Sequence, residues 1–131
     1  MIALDTNVLV RFLVEDDAAQ HRRAAQLIER ASREELPLLV TDVVLCELVW
    51  VLDYSYRVDR ARLIAVLREL LSARQLLIVS RDTIARAVDA FASGRGDFAD
   101  YVIREQARAL GTDSVATFDR ALLKEDGFTS P

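Results

Sequence analysis

The chain has 131 residues, 17 basic against 21 acidic side chains, a net charge of −4, 52% apolar residues, four Gly and two Pro. This composition suits one compact domain, read here as residues 1–131, and excludes disordered, fibrous and repeat architectures. The longest apolar runs, Val43 to Cys46 and Leu48 to Leu52, fall short of the roughly 18 residues a membrane span needs. No basic-then-apolar leader is expected ahead of Asp5, so the expectation is a cytoplasmic protein with no membrane partner.

Met1 to Leu4 is a short apolar run ending at Asp5, read as a buried strand. Val8, Leu9, Phe12 and Leu13 recur at helical spacing, and Ala18 to Arg33 continues as a second helix with Ala24, Ala25, Leu27 and Ile28 inward. Pro37 opens a second strand, Leu38 to Thr41, followed by a helix from about Asp42 to Tyr56. Asp59 caps the next helix, which runs to about Ser72, and Leu76 to Val79 is a third strand. Thr83 to Ala92 is helical, Gly94-Arg95-Gly96 is a loop, and a helix from Phe98 to Leu110 stops at Gly111 in a left-handed C-cap. Ser114 to Thr117 is a fourth strand, with Asp119 and a short helix after it. Alternation without hairpin signals predicts an α/β fold, a parallel sheet of four to five strands sandwiched by helices as α/β/α.

Several chemistries are missing. Cys46 and His21 are each the only residue of their kind, which excludes an intramolecular disulfide and cysteine-based zinc sites. No Gly-x-Ser-x-Gly turn presents a nucleophile, and no Gly-Lys-Ser/Thr follows Gly94 or Gly96 to cradle phosphate. The acidic balance argues against gripping nucleic acid by bulk positive charge, though not against a nucleic-acid enzyme whose acids surround cations. Chemistry here must come from carboxylates, hydroxyls, arginine and metal.

Four acids stand out. Asp5 and Asp119 lie just past the ends of the first and fourth strands, the edge where ligands bind in open parallel sheets. Asp100 sits in the first turn of a helix. Glu47 interrupts an otherwise apolar helix and is expected to be buried or nearly so. Each has a plainer reading: Asp5 and Asp119 as helix caps, Asp100 as a complement to the helix dipole, Glu47 as the partner of a buried arginine. If they converge at about 5 Å, each pair repels by roughly 3 kcal/mol at an effective dielectric near 20. Such a group must bind cations or stay partly protonated, and oxygen donors alone select Mg²⁺ or Mn²⁺. Setting these four aside leaves acids and bases balanced at 17 each. Asp97 is read as the N-cap ahead of Asp100, with an exchange of roles left open. Thr6, Asn7 and Thr117 either cap or orient a carboxylate. Cys46 is read as a small core residue; Trp50 and Tyr54 are assigned to the core, with a subunit interface as the alternative.

Asp5-Thr6-Asn7-Val8-Leu9, Glu47 in its apolar helix, Asp97-Phe98-Ala99-Asp100 and Thr117-Phe118-Asp119 together resemble the PIN-domain ribonucleases. Among these the chain is most similar to the VapC-type toxins of bacterial and archaeal toxin–antitoxin pairs. The resemblance implies that Asp5, Glu47, Asp100 and Asp119 are the catalytic acids and ligate Mg²⁺, with Mn²⁺ as substitute, and that a metal-activated water hydrolyses RNA phosphodiester bonds. It further implies a VapB-like antitoxin, a homodimer, and arginines near the site, with Arg11 and Arg95 as candidates, for phosphate contact. Two other readings stay open: a PIN-like metal-binding interaction module without catalysis, and a Mg²⁺-dependent phosphatase. An aspartyl-nucleophile phosphatase, however, is expected to carry a second Asp where Asn7 stands.

Overall fold

The computed structural model describes residues 1–131 and divides into two compact units, Met1–Val79 and Ser80–Pro131. The first unit holds β1 (Ile2–Ala3), α1 (Thr6–Leu13), α2 (Ala18–Arg33), β2 (Leu38–Val40), α3 (Asp42–Tyr54), α4 (Arg60–Ser72) and β3 (Leu76–Ile78). Its three strands pair in parallel in the order β1-β2-β3, with Ile2 opposite Leu38 and Leu38 opposite Leu76. Two helices connect each strand to the next, as parallel pairing requires. Leu38, Val40 and Ile78 are buried with Leu9, Leu45, Leu48, Leu63 and Leu67. Because the strands run the same way, Asp5 after β1 and the start of α3 after β2 share the carboxyl edge of this sheet.

The second unit holds α5 (Arg81–Ser93), α6 (Phe98–Ala109), β4 (Val115–Ala116), a short 3₁₀ helix (Leu122–Lys124) and β5 (Phe128–Thr129). β4 and β5 pair in parallel, with Val115 opposite Phe128. The α5 and α6 helices pack through buried Ile84, Ala87, Val88, Phe91, Phe98, Tyr101 and Val102, and Phe91 meets Phe98 edge-on at 5.8 Å between ring centroids. Strand–helix alternation with parallel pairing throughout makes this an α/β fold. No helix is long and apolar enough to cross a membrane.

Local chemistry explains where helices begin and end. Asp17 accepts from the Gln20 amide at 3.0 Å and Asp59 from the Arg62 amide at 2.8 Å, each satisfying a donor that the first helical turn leaves open. At the end of α6, Gly111 takes φ +91°, and the Gly111 and Thr112 amides bond the Arg108 and Ala107 carbonyls, both at 3.0 Å. That closure is available at little cost only to glycine.

Two expectations fail in α3. Buried residues Val44, Leu45, Leu48, Val49 and Leu52 form one face, while Val43, Glu47, Trp50 and Tyr54 fall at helical spacing on another that is open. Trp50 is 61% and Tyr54 73% exposed, so neither is core, and Glu47 is exposed rather than buried. An almost wholly apolar helix carries no periodicity to say which face turns inward. The two exposed rings stack on each other, 4.9 Å apart and within 7° of parallel.

Candidate functional site

In the first unit, Asp5 stands at the N-cap position of α1 in extended conformation, yet its carboxylate makes no capping hydrogen bond. Helix capping therefore does not occupy this side chain. Thr6, next in sequence and buried, donates its hydroxyl to Glu47 Oε1 at 3.1 Å. That bond reaches from the end of β1 to the middle of α3 and holds the Glu47 side chain in one orientation. Glu47 has no arginine partner, so it is not half of a buried ion pair.

The second unit gathers more acids. Asp97 precedes α6, and its amide donates to Asp100 Oδ2 at 2.8 Å, so Asp97 and Asp100 act together at this helix start. Burial raises the Asp100 carboxyl above its usual value, and the charges of Asp97, Asp119 and Glu125 push the same way, against the bond from the Asp97 amide. Asp119 caps the 3₁₀ helix: its Oδ1 accepts from the Ala121 and Leu122 amides at 2.9 and 3.2 Å, leaving Oδ2 without a protein donor. Thr117 accepts from the Asp119 amide at 3.0 Å, setting the turn after β4. Thr6 and Thr117 thus both orient ends of the candidate acids.

Glu125 and Tyr101 were not among the sequence candidates. The buried Tyr101 hydroxyl donates to the Glu125 carboxylate, 2.8 and 3.0 Å from its two oxygens, and accepts from the Gly96 amide at 2.8 Å. A Cβ at Gly94 would collide with that hydroxyl, and one at Gly96 would lie 2.6 Å from Leu122 Cδ2 and 3.2 Å from Asp100 Oδ2. The two glycines let the loop before α6 close over Tyr101 beside Asp100. Glycines at 94 and 96 flanking one arginine were the available sign, but their role depends on a tyrosine further along.

Other groups divide into structural and free. The buried acid of this protein is Glu105, 5% exposed, paired with Arg104 and Arg108 at 3.0 Å and with Arg86 at 3.9 Å. Arg104 also lies over the Tyr101 and Phe128 rings and donates to the Asp126 carbonyl at 2.9 Å. Arg11 is tied to Asp16 at 3.0 Å and to Gln20 at 2.7 Å, so it is committed within the fold. Arg95 is exposed and held only through its amide, 3.3 Å from Glu125 Oε2. His21 is engaged by the Arg11 carbonyl at 2.9 Å. Burial, helped by Asp42, pushes the Cys46 thiol up to about 11, so it stays protonated and inert.

Asp5, Glu47, Asp100 and Asp119 make no salt bridge, although 17 basic residues are present and Glu105 alone draws three of them. Within neither unit do three His, Cys, Asp or Glu side chains converge as a complete metal-holding group. The donor set is still the right kind for a hard cation: carboxylate oxygens without ion-pair partners, with the imidazole engaged by the Arg11 carbonyl and the thiol kept protonated.

A model of the PIN domain family matches residues 2–126. A VapC ribonuclease of Aquifex aeolicus (strain VF5) is 27% identical over 124 residues, which cover 95% of this chain and 91% of that protein.

Proposed function

The chain belongs to the PIN domain family, and from that membership we propose that it is a Mg²⁺-dependent endoribonuclease, the toxin of a toxin–antitoxin pair. The observation that carries this reading is the uncompensated charge at Asp100. A half-buried carboxylate faces Asp119 and Glu125 with no arginine beside it, in a chain that neutralises Glu105 three times over. The likeness to a VapC ribonuclease supports RNA as the substrate class.

Asp5, Glu47, Asp100 and Asp119 are the proposed ligands and catalytic acids. Thr6 holds Glu47 so that its second oxygen, Oε2, is free to bind. Asp100 Oδ2 is held by the Asp97 amide and Asp119 Oδ1 by the cap, which leaves Oδ1 of the former and Oδ2 of the latter for a ligand. When bound, Mg²⁺ supplies Lewis acidity toward water and the phosphodiester oxygens. The acids keep that charge fixed without reorganisation, and no side-chain nucleophile is needed. The protein acts in the cytoplasm and is silenced by a VapB-like antitoxin.

The test is cleavage of total RNA by the purified protein, with end mapping of the products. Asp5→Asn and excess EDTA should each reduce cleavage by at least about 100-fold. Cleavage that survives either treatment would reject the mechanism. The open face of Val43, Trp50 and Tyr54 on α3 is assigned to a second copy of the chain in a homodimer, since patches of this kind mark interfaces. In sedimentation velocity Trp50→Asp should run as a monomer; a mass equal to that of the unmodified chain rules out this face.

A further inference from the structure

A net charge of −4 hides a local reversal. Helix α2 carries Arg22, Arg23, Arg30 and Arg33 against a single acid, Glu29. None of these four guanidinium groups makes an ion pair or a hydrogen bond, in contrast to Arg11, Arg104 and Arg108. Within the first unit, a groove of about 370 Å³ between α1 and α2 starts at Asn7, two residues after Asp5, and reaches Arg23 and Leu27. A second depression of about 430 Å³ shares Arg23 and Leu27 and continues past Gln26, Glu29, Arg30 and Arg33. Positions 23, 26, 30 and 33 recur at three- and four-residue steps, so they line one helix face over about 15 Å.

We propose that this arginine-lined track binds the phosphodiester backbone of single-stranded RNA; the proposal rests on the ribonuclease reading and names the path its substrate follows. Three features select this occupant. Unpaired arginines present forked donors that match phosphate oxygens. The second depression is lined by Gln26, Glu29 and three arginines with Leu27 as its one apolar side chain, a surface that suits a charged backbone rather than the apolar face of a partner helix. The track starts at Asn7 on α1, two residues along the chain from Asp5. Arg11, bound to Asp16, shapes the groove wall and is not the phosphate contact.

The experiment is fluorescence anisotropy of a fluorescein-labelled oligouridylate in EDTA, where no cleavage occurs, over a range of salt concentrations. For single strands the salt slope changes by about 0.7 per phosphate contact. The triple variant R23Q/R30Q/R33Q should show a slope shallower by about 2 and at least roughly tenfold weaker binding at low salt. R23K/R30K/R33K should keep the slope, because charge rather than the fork sets it. Arg22→Gln removes a charge from the same helix but from neither wall, and should bind as the unmodified protein does. Circular dichroism melts show that all variants are folded. Equal slopes and affinities for the triple glutamine variant and the parent would overturn the track, as would an Arg22→Gln loss matching that of Arg30→Gln. Complete absence of salt-dependent RNA binding by the unmodified protein would instead reject the ribonuclease reading beneath it.

Discussion

Asp100 is held in the first turn of α6 by the Asp97 amide, while burial and three neighbouring carboxylates resist its ionisation. Its folded pKa lies above the unfolded one. Its contribution to stability is therefore complete below the ordinary value of 3.8 and is lost as pH rises through the raised folded value. At neutral pH the ionised group opposes folding of the metal-free protein. Asp100→Asn should accordingly raise the metal-free melting temperature at neutral pH. That gain should vanish once the solution is acidic enough to protonate Asp100 in both states. Calorimetry across pH checks the sign, and a lower melting temperature at neutral pH would mean that the α6 cap outweighs the repulsion. At this scale the placing of Asp5, Asp100 and Asp119 at element boundaries could be read from the sequence. Glu125 was not, because nothing near it in sequence shows that Tyr101 will hold it beside Asp100.

Among elements, boundaries carried by a local cap could be read in advance. Asp59 starts α4 and Gly111 ends α6 as their side-chain chemistry demands. β5 could not be read, since two residues, Phe128 and Thr129, show no alternation. The facing of α3 was hidden for the opposite reason, apolar residues lying on every side. The Glu105 network was hidden because charged residues on a helix ordinarily point outward. It fastens α6 to the segment before β5 through the Arg104 bond to the Asp126 carbonyl and the Arg108 pair with Asp126. Removing one partner strands a buried charge. Glu105→Ala should therefore destabilise by about 3 kcal/mol or more, measured by urea unfolding. A cost below about 1 kcal/mol would show that water replaces the carboxylate without penalty.

At the scale of the molecule, charge is arranged against its average. The four candidate acids make no ion pair, the buried acid Glu105 is paired with three arginines, and unpaired arginines line α2. The α/β class and the family were legible because strand-end acids and helix caps lie in short contiguous motifs. The arginine track was not, because only the packing of α1 on α2 turns separated residues into a groove. Manganese binding, followed by the electron paramagnetic resonance of the free ion, tests the proposed ligand set without any RNA. Glu47→Gln and Asp100→Asn should each weaken binding by at least about tenfold while the protein stays folded. Affinity equal to that of the unmodified protein in either variant would contradict the assignment of these acids to the metal.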